Sequence, residues 1–247
     1  YLYDNNSNYA DTPTKGDLTK SKRFLDKKGV YLENSFVYNG YGLEMSRTDA
    51  KNYTTYIDYD SLYQAFPSTI RNPKGQIERM TYNDSNSSFG LFGQMRSKVD
   101  TNGNETFFEY DQFGRKTRVI GPYDTTSTYG TESYEYGMGG PGSNYILMRT
   151  TEDSGTANHF IKVDILDGFE RVIQMAKESE DTQVYSDIAT FYNERGETEK
   201  ASLPYFKGGG LCTSYVAPDG SVKWTQYSYD AIGRMTQIIK PDNTNLS

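Results

Sequence analysis

Residues Phe107 to Pro122 read Phe-Phe-Glu-Tyr-Asp-Gln-Phe-Gly-Arg-Lys-Thr-Arg-Val-Ile-Gly-Pro. Two β-rich runs flank Asp111-Gln112-Phe113-Gly114. An Asp at the first position of a type I turn with Gly at the fourth predicts a three-residue hairpin loop whose last residue is left-handed. Gly114 adopts that conformation without the Cβ clash any other residue meets. Asp111 is placed to accept backbone N–H groups within the turn, and Arg115 either pairs with Asp111 or lies over the ring of Tyr110. Pro122 has no N–H for a ladder and ends the returning strand.

The device recurs. Tyr229-Asp230-Ala231-Ile232-Gly233-Arg234 repeats it, with Ile238-Ile239-Lys240-Pro241 as the returning strand, and Asn193-Glu194-Arg195-Gly196 and Asp167-Gly168-Phe169-Glu170-Arg171 are degenerate copies. Gly75 to Gly103 is 28 residues, Gly114 to Glu170 is 56, Glu170 to Gly196 is 26 and Gly196 to Gly220 is 24. That spacing marks a repeat architecture. Gly103 with Gly114 and Gly220 with Gly233 bracket single strands, which is an all-β signature. In the copy at Asp167 the fourth position is Glu170, which a left-handed backbone would strain by roughly 1–2 kcal/mol. A two-residue turn on Asp167-Gly168, with a different register, is therefore expected there.

Tyr-Asp-x-x-Gly-Arg, complete at Tyr110 to Arg115 and at Tyr229 to Arg234, resembles the YD repeat of Rhs-type proteins. Tyr59-Asp60, Phe66-Pro67, Asn72-Pro73-Lys74-Gly75-Gln76 and Asp100-Thr101-Asn102-Gly103 are similar to the Rhs-repeat region of the B component of bacterial insecticidal toxin complexes. So are Asp167 to Gln174 and Leu203-Pro204-Tyr205-Phe206. The resemblance implies a long β-strip that spirals into a hollow shell around a toxic C-terminal segment. It also implies a bacterial protein, secreted or on the cell surface. The partners implied are the remainder of that shell, an enclosed toxin polypeptide and other toxin-complex subunits.

Composition bounds the reading independently. Apolar residues including Tyr make up 35% of the 247, and exchanging the 23 tyrosines for the 23 glycines leaves the same share, against roughly 45–50% for an ordinary globular domain. The shortfall argues against a thick core, and the excess of Tyr suits a sheet whose rings have one apolar flank and one wet hydroxyl. A net charge of −7 without a long single-sign run speaks against nucleic acid as a partner. Cys212 is the single cysteine, so neither an intrachain disulfide nor a cysteine zinc site forms. No apolar run approaches the ~20 residues of a membrane-spanning helix, and no membrane insertion by this segment is expected. Because the first residue is Tyr1 and repeats reach both ends, the chain is expected to be one YD-repeat segment, residues 1–247, of a much longer protein.

In order, Asp4 to Asn8 reads as a polar loop and Gly16 to Thr19 as a turn feeding a strand. Residues 18–28 admit a short helix as an alternative, on a thin stripe of Leu18, Phe24 and Leu25. From Val30 the β-pattern settles in, with a turn at Asn39-Gly40. Tyr136 to Gly142, Ser154 to Asn158 and Gly208 to Gly210 read as longer loops between repeats.

Candidate chemistry is sparse. His159, the single histidine, reads as a solvent-facing loop residue. Serine-nucleophile chemistry lacks its elbow motif and a second histidine. Paired carboxylates would suit glycan hydrolysis, yet Asp111, Asp167 and Asp230 stand at turn-opening positions that already account for them. Asp100 to Asn104 has neither the Gly at position six nor the Glu at position twelve of a calcium-binding EF-hand and reads as a hairpin turn. Gly137 to Gly142 lacks the Lys-Ser/Thr ending of a phosphate loop. Tyr59, Tyr82, Tyr110, Tyr192 and Tyr229 all precede Asp or Asn, which makes them packing residues across the strand. As a sugar-stacking face they would instead belong to a surface adhesin. The reading is an all-β antiparallel hairpin strip forming part of a hollow shell, structural and not an enzyme, with no cofactor and no metal.

Overall fold

The computed structural model describes residues 1–125, 127–140, 143–153, 156, 158–180 and 184–246. These fold into twenty β-strands with no helix among them, as the turn spacing requires. The chain divides at the Arg115/Lys116 bond into two compact units.

In the first unit, strands β1 (Leu2–Tyr3), β2 (Leu18–Leu25), β3 (Val30–Tyr38), β4 (Glu44–Thr48), β5 (Thr54–Tyr59), β6 (Pro67–Arg71), β7 (Ile77–Tyr82), β8 (Met95–Val99) and β9 (Glu105–Tyr110) form an antiparallel ribbon, each beside its sequence neighbour. Residues 18–25 are strand, not helix: β2 pairs with β3 from Lys20↔Ser35 to Leu25↔Val30. Lys20 and Lys22 both reach Glu33 across that pair, at 2.9 and 3.0 Å. A thin apolar stripe gives a helix little to bury, whereas a hairpin partner satisfies the backbone at once. Burial is sparse in this unit, and Met80 is its one buried hydrophobic among the described residues.

The second unit holds β10 (Lys116–Ile120), β11 (Glu132–Met138), β12 (Asn144–Thr151), β13 (His159–Leu166), β14 (Val172–Glu178), β15 (Val184–Tyr192), β16 (Thr198–Ser202), β17 (Tyr205–Gly208), β18 (Trp224–Tyr229), β19 (Met235–Ile239) and β20 (Asn245–Leu246). Pairing is again antiparallel and mostly sequential. The exception is β15, whose end at Thr190 to Tyr192 pairs with β16 while Val184 to Asp187 pair with β17. Beyond the break, β18 joins β16.

Two cross-strand rows define the core. One runs Leu147–Val163–Ala176–Asp187–Tyr205 and the other Tyr145–Ile165–Gln174–Ala189, from β12 outward. Leu147, Val163 and Ile165 are at most 2% exposed, and Tyr145, Ile161, Ile173 and Tyr215 pack against them. Tyr215 belongs to residues 209–222, which leave β17 and cross this face before β18. A one-layer sheet buries no side chain fully, so this covering segment is what makes a core possible here.

Several expectations for loops and turns change, and Gly208, expected in a loop with Gly209 and Gly210, instead ends β17 opposite Val184. Tyr136 to Met138 belong to β11, because Tyr136, Gly137 and Met138 pair with Ile146, Tyr145 and Asn144, and the Tyr145 ring fills the space a Cβ on Gly137 would take. Of the proposed loops, residues 141–142, 154, 155 and 157 lie outside the described residues. Gly220 is not a repeat turn: it is absent from the left-handed glycines, and after Gly196 the next repeat turn is at Gly233. The 24-residue step read there was the covering segment, not a period.

Candidate functional site

The recurring structural site is the turn. Eight hairpin turns among the described residues open on Asn39, Asp49, Asn72, Asp100, Asp111, Asp167, Asn193 and Asp230, whose Oδ1 accepts the backbone N–H groups two and four residues on. In each, the fourth residue is left-handed: Gly42, Asn52, Gly75, Gly103, Gly114, Glu170, Gly196 and Gly233 have φ between 62° and 86°. One short polar side chain thus satisfies two amides that the tight loop withholds from the ladder.

Three turns add an arginine fork. Arg115, Arg171 and Arg234 donate Nε to Oδ2 of Asp111, Asp167 and Asp230 at 2.7, 2.8 and 2.7 Å. Nη2 of Arg115 and Arg171 reaches the same oxygens at 2.7 and 2.6 Å. Of the two partners expected for Arg115, the carboxylate is therefore taken, and the guanidinium also lies 5.2 Å from the centre of the Phe113 ring. Arg171 lies over Phe169 and, at 4.4 Å, over Tyr192. Burial alone would raise the Asp111 carboxyl, but the Arg115 backbone N–H and guanidinium outweigh it and hold the group below the usual carboxylate range. Asp167 is held low in the same way by Arg171, and Asp230 chiefly by Arg234.

The turn at Asp167 corrects the sequence reading. Asp167 closes the same five-residue loop as the others, with its N–H on the Arg171 carbonyl at 3.0 Å, and Gly168 is merely its second residue. Glu170 accepts the left-handed backbone at φ 62°. Two amide bonds and the Arg171 fork converge on Asp167, so the turn is over-determined and tolerates the strain.

Tyrosines complete the device. The hydroxyls of Tyr38, Tyr59, Tyr82, Tyr110 and Tyr192, each the last residue of its strand, donate to the carbonyls of Leu18, Glu44, Pro67, Met95 and Val172 at 2.8–3.0 Å. Each acceptor is the first residue of the preceding strand, and Tyr136 reaches Lys116 in the same manner. Tyr229 holds the corresponding place at the end of β18. Burial pushes the phenols of Tyr38, Tyr59, Tyr82 and Tyr110 up, which keeps them donors.

Asp100 sits in the turn series, with Gly103 at φ 86°. His159 is not in a loop: it opens β13, half-buried, its ring edge-on to Tyr129 at 5.1 Å, where Tyr129 also receives Arg149. Among the described residues, no three His, Cys, Asp or Glu side chains gather as a metal site. What the sequence reading missed is a buried polar group on the covered face. Gln174 donates to Asp187 at 2.8 Å and to the Tyr205 hydroxyl at 3.3 Å, and accepts the Val216 N–H at 2.9 Å. Burial raises the Asp187 carboxyl, and burial together with Asp187 pushes Tyr205 up to about 12.

A family model described as the Rhs repeat matches residues 209–244. No curated protein matches the chain. The crystal structure of TcdB2-TccC3 is similar with a TM-score of 0.68 over 92% of this chain, at 14% identity. The same assembly without its hypervariable C-terminal region gives 0.66 over 92%, at 12% identity. The chain spans only 14% and 16% of those two chains, and at such identity the likeness is one of fold. The chain thus carries an Rhs repeat on an antiparallel β-architecture shared with these structures, in agreement with the resemblance read from its turns.

Proposed function

We propose that this strip of Rhs repeats, residues 1–247 acting as one segment, is part of the wall of a shell that encloses a toxin polypeptide and helps deliver it. The observation that carries the reading is the repeating unit itself. Eight hairpins are closed by their own Asx turn, and six tyrosines tie a strand to the one before, so the structure is extended by adding hairpins and not by deepening a core. Such a sheet is suited to form a surface, and its open edges favour continuation by further strands. The likeness to TcdB2-TccC3, of which the chain spans a small part, supports the same direction. In this reading the role is structural, not catalytic, and the partners are the rest of the shell, its cargo and other toxin-complex subunits. The setting is secreted or on a bacterial surface.

Limited proteolysis of the longest natural chain carrying this segment tests the proposal. A container protects a downstream polypeptide from protease until denaturant opens the wall. Cleavage of every downstream domain at the rate of the isolated domain overturns it. A second reading, a glycan-binding adhesin, draws on exposed aromatics such as Tyr9, Tyr41 and Tyr53. Glycan-array binding lost on Tyr41→Ala and Tyr53→Ala together would favour it.

A further inference from the structure

Residues 209–222 join no ladder, yet two anchors hold them to the face of β12–β15. Tyr215 packs against Leu147, Val163 and Ile165, and the Val216 N–H donates to Gln174 Oε1. Gln174 is 2% exposed. Its Nε2 is committed to Asp187 Oδ2, and this commitment turns Oε1 toward the strap. Asp187, 1% exposed, therefore sets the orientation of the acceptor that holds Val216. The other carboxylate oxygen, Oδ1, has no hydrogen-bond partner. A buried carboxylate with one orphan oxygen disfavours its ionised form.

The surroundings do little to relieve it. β14 contributes Gln174 and Glu178 to this face, β15 itself Tyr185, and β17 Tyr205 and Lys207. The strap brings Tyr215 and Asp219. β13 presents Ile161, Val163 and Ile165 with His159 at its far end, and β12 adds Arg149 opposite Ile161. Lys207 is the cation on the strand next to Asp187, set against Glu178 and Asp219, while Arg149, three strands away, is paired with Glu135 and lies over Tyr129.

We propose that residues 209–222 form a pH-dependent latch, docked through Tyr215 and the Gln174–Val216 bond while Asp187 is protonated and loosened as Asp187 ionises. The direction of the Asp187 shift agrees: burial raises it, and Lys207 and Gln174 only partly oppose that. The sign follows from linkage. The Gln174 bond itself favours the ionised carboxylate, so the coupling runs through desolvation: the docked state, with Asp187 out of water, holds the proton more tightly than the undocked state, in which water reaches the carboxylate. Docking is therefore strongest below the ordinary carboxylate value and weakens as pH rises through the raised one.

Cys212, the single cysteine, lies half-buried in the strap and reports its opening. Its labelling by 2,2′-dithiodipyridine is followed from about pH 4 to pH 8 and divided at each pH by the rate for the chain unfolded in urea. Protection is expected to fall as pH rises, by no more than about tenfold per pH unit for one titrating group, and to level off in acid. Asp187→Asn, neutral at every pH, is expected to flatten the profile. Wild-type protection that does not change with pH, or an Asp187→Asn profile with the wild-type slope, overturns the latch. If Asp187→Asn fails to fold, amide exchange in the wild type decides. Release of the Val216 amide at pH values where the Leu147 amide stays protected supports the latch, and parallel loss of both refutes it.

Discussion

Glu170→Gly should stabilise the protein, against the usual trend for replacing a residue by glycine. Glu170 holds φ 62° in the Asp167 turn, where the equivalent residues of five of the other seven turns, Gly75, Gly103, Gly114, Gly196 and Gly233, show φ of 81–86°. A residue with a Cβ in this conformation costs roughly 1–2 kcal/mol. Glycine gains freedom in the unfolded chain, which returns roughly 0.5–1 kcal/mol. The net gain is about 0.5–1 kcal/mol. Urea unfolding followed by fluorescence of Trp224, the single tryptophan and in the same unit, measures it. The midpoint should rise by a few tenths of a molar, given slopes of about 1–3 kcal/mol per molar. Glu170→Ala is the control: it keeps the strained backbone, and the midpoint should stay where it is in the wild type. A midpoint lowered by Glu170→Gly, or raised equally by both substitutions, refutes the claim that strain at this turn is held by Asp167 and Arg171.

Asp111→Asn should cost less than about 1 kcal/mol, since Asn39, Asn72 and Asn193 close the same turn and only a part-buried ion pair is lost. Asp111→Ala removes both amide bonds as well and should cost about 1–2 kcal/mol, a contrast that denaturant titration of the pair resolves. Tyr110→Phe leaves the Met95 carbonyl without its hydroxyl donor and should cost about 1 kcal/mol, measured as a lower thermal midpoint. Asp111 and Asp167 have lowered carboxyl pKa values. Their contribution is therefore full above the ordinary value near ~3.9 and lost as pH falls through their lower folded values. Thermal melts below about pH 4 should show a shallower fall for the Asp111→Asn, Asp167→Asn double variant than for the wild type.

The turns were legible because their determinants are local: an Asx and, three positions on, a residue able to turn left-handed decide the loop without reference to the rest of the chain, and at three of them an arginine reinforces it. Glu170 misled for a related reason. Propensity at one residue was weighed alone, while the bonds that override it come from Asp167 and Arg171. The tyrosines before the turns were visible as packing residues, but their acceptors lie 15 or 20 residues upstream, a distance set by hairpin length. His159 was misplaced because its Gly- and Asn-rich approach hid a strand that Tyr129 covers from 30 residues away. The covered face was illegible. Val216 meets Gln174 across 42 residues, and Gly220 imitated a repeat turn inside the segment that makes the cover.

Single-particle electron microscopy of the longest natural chain carrying this segment tests the central claim most directly. The wall reading predicts that the strip continues into a closed hollow shell with density for a further polypeptide inside. An open, extended sheet with its tyrosines along an exposed face would contradict it.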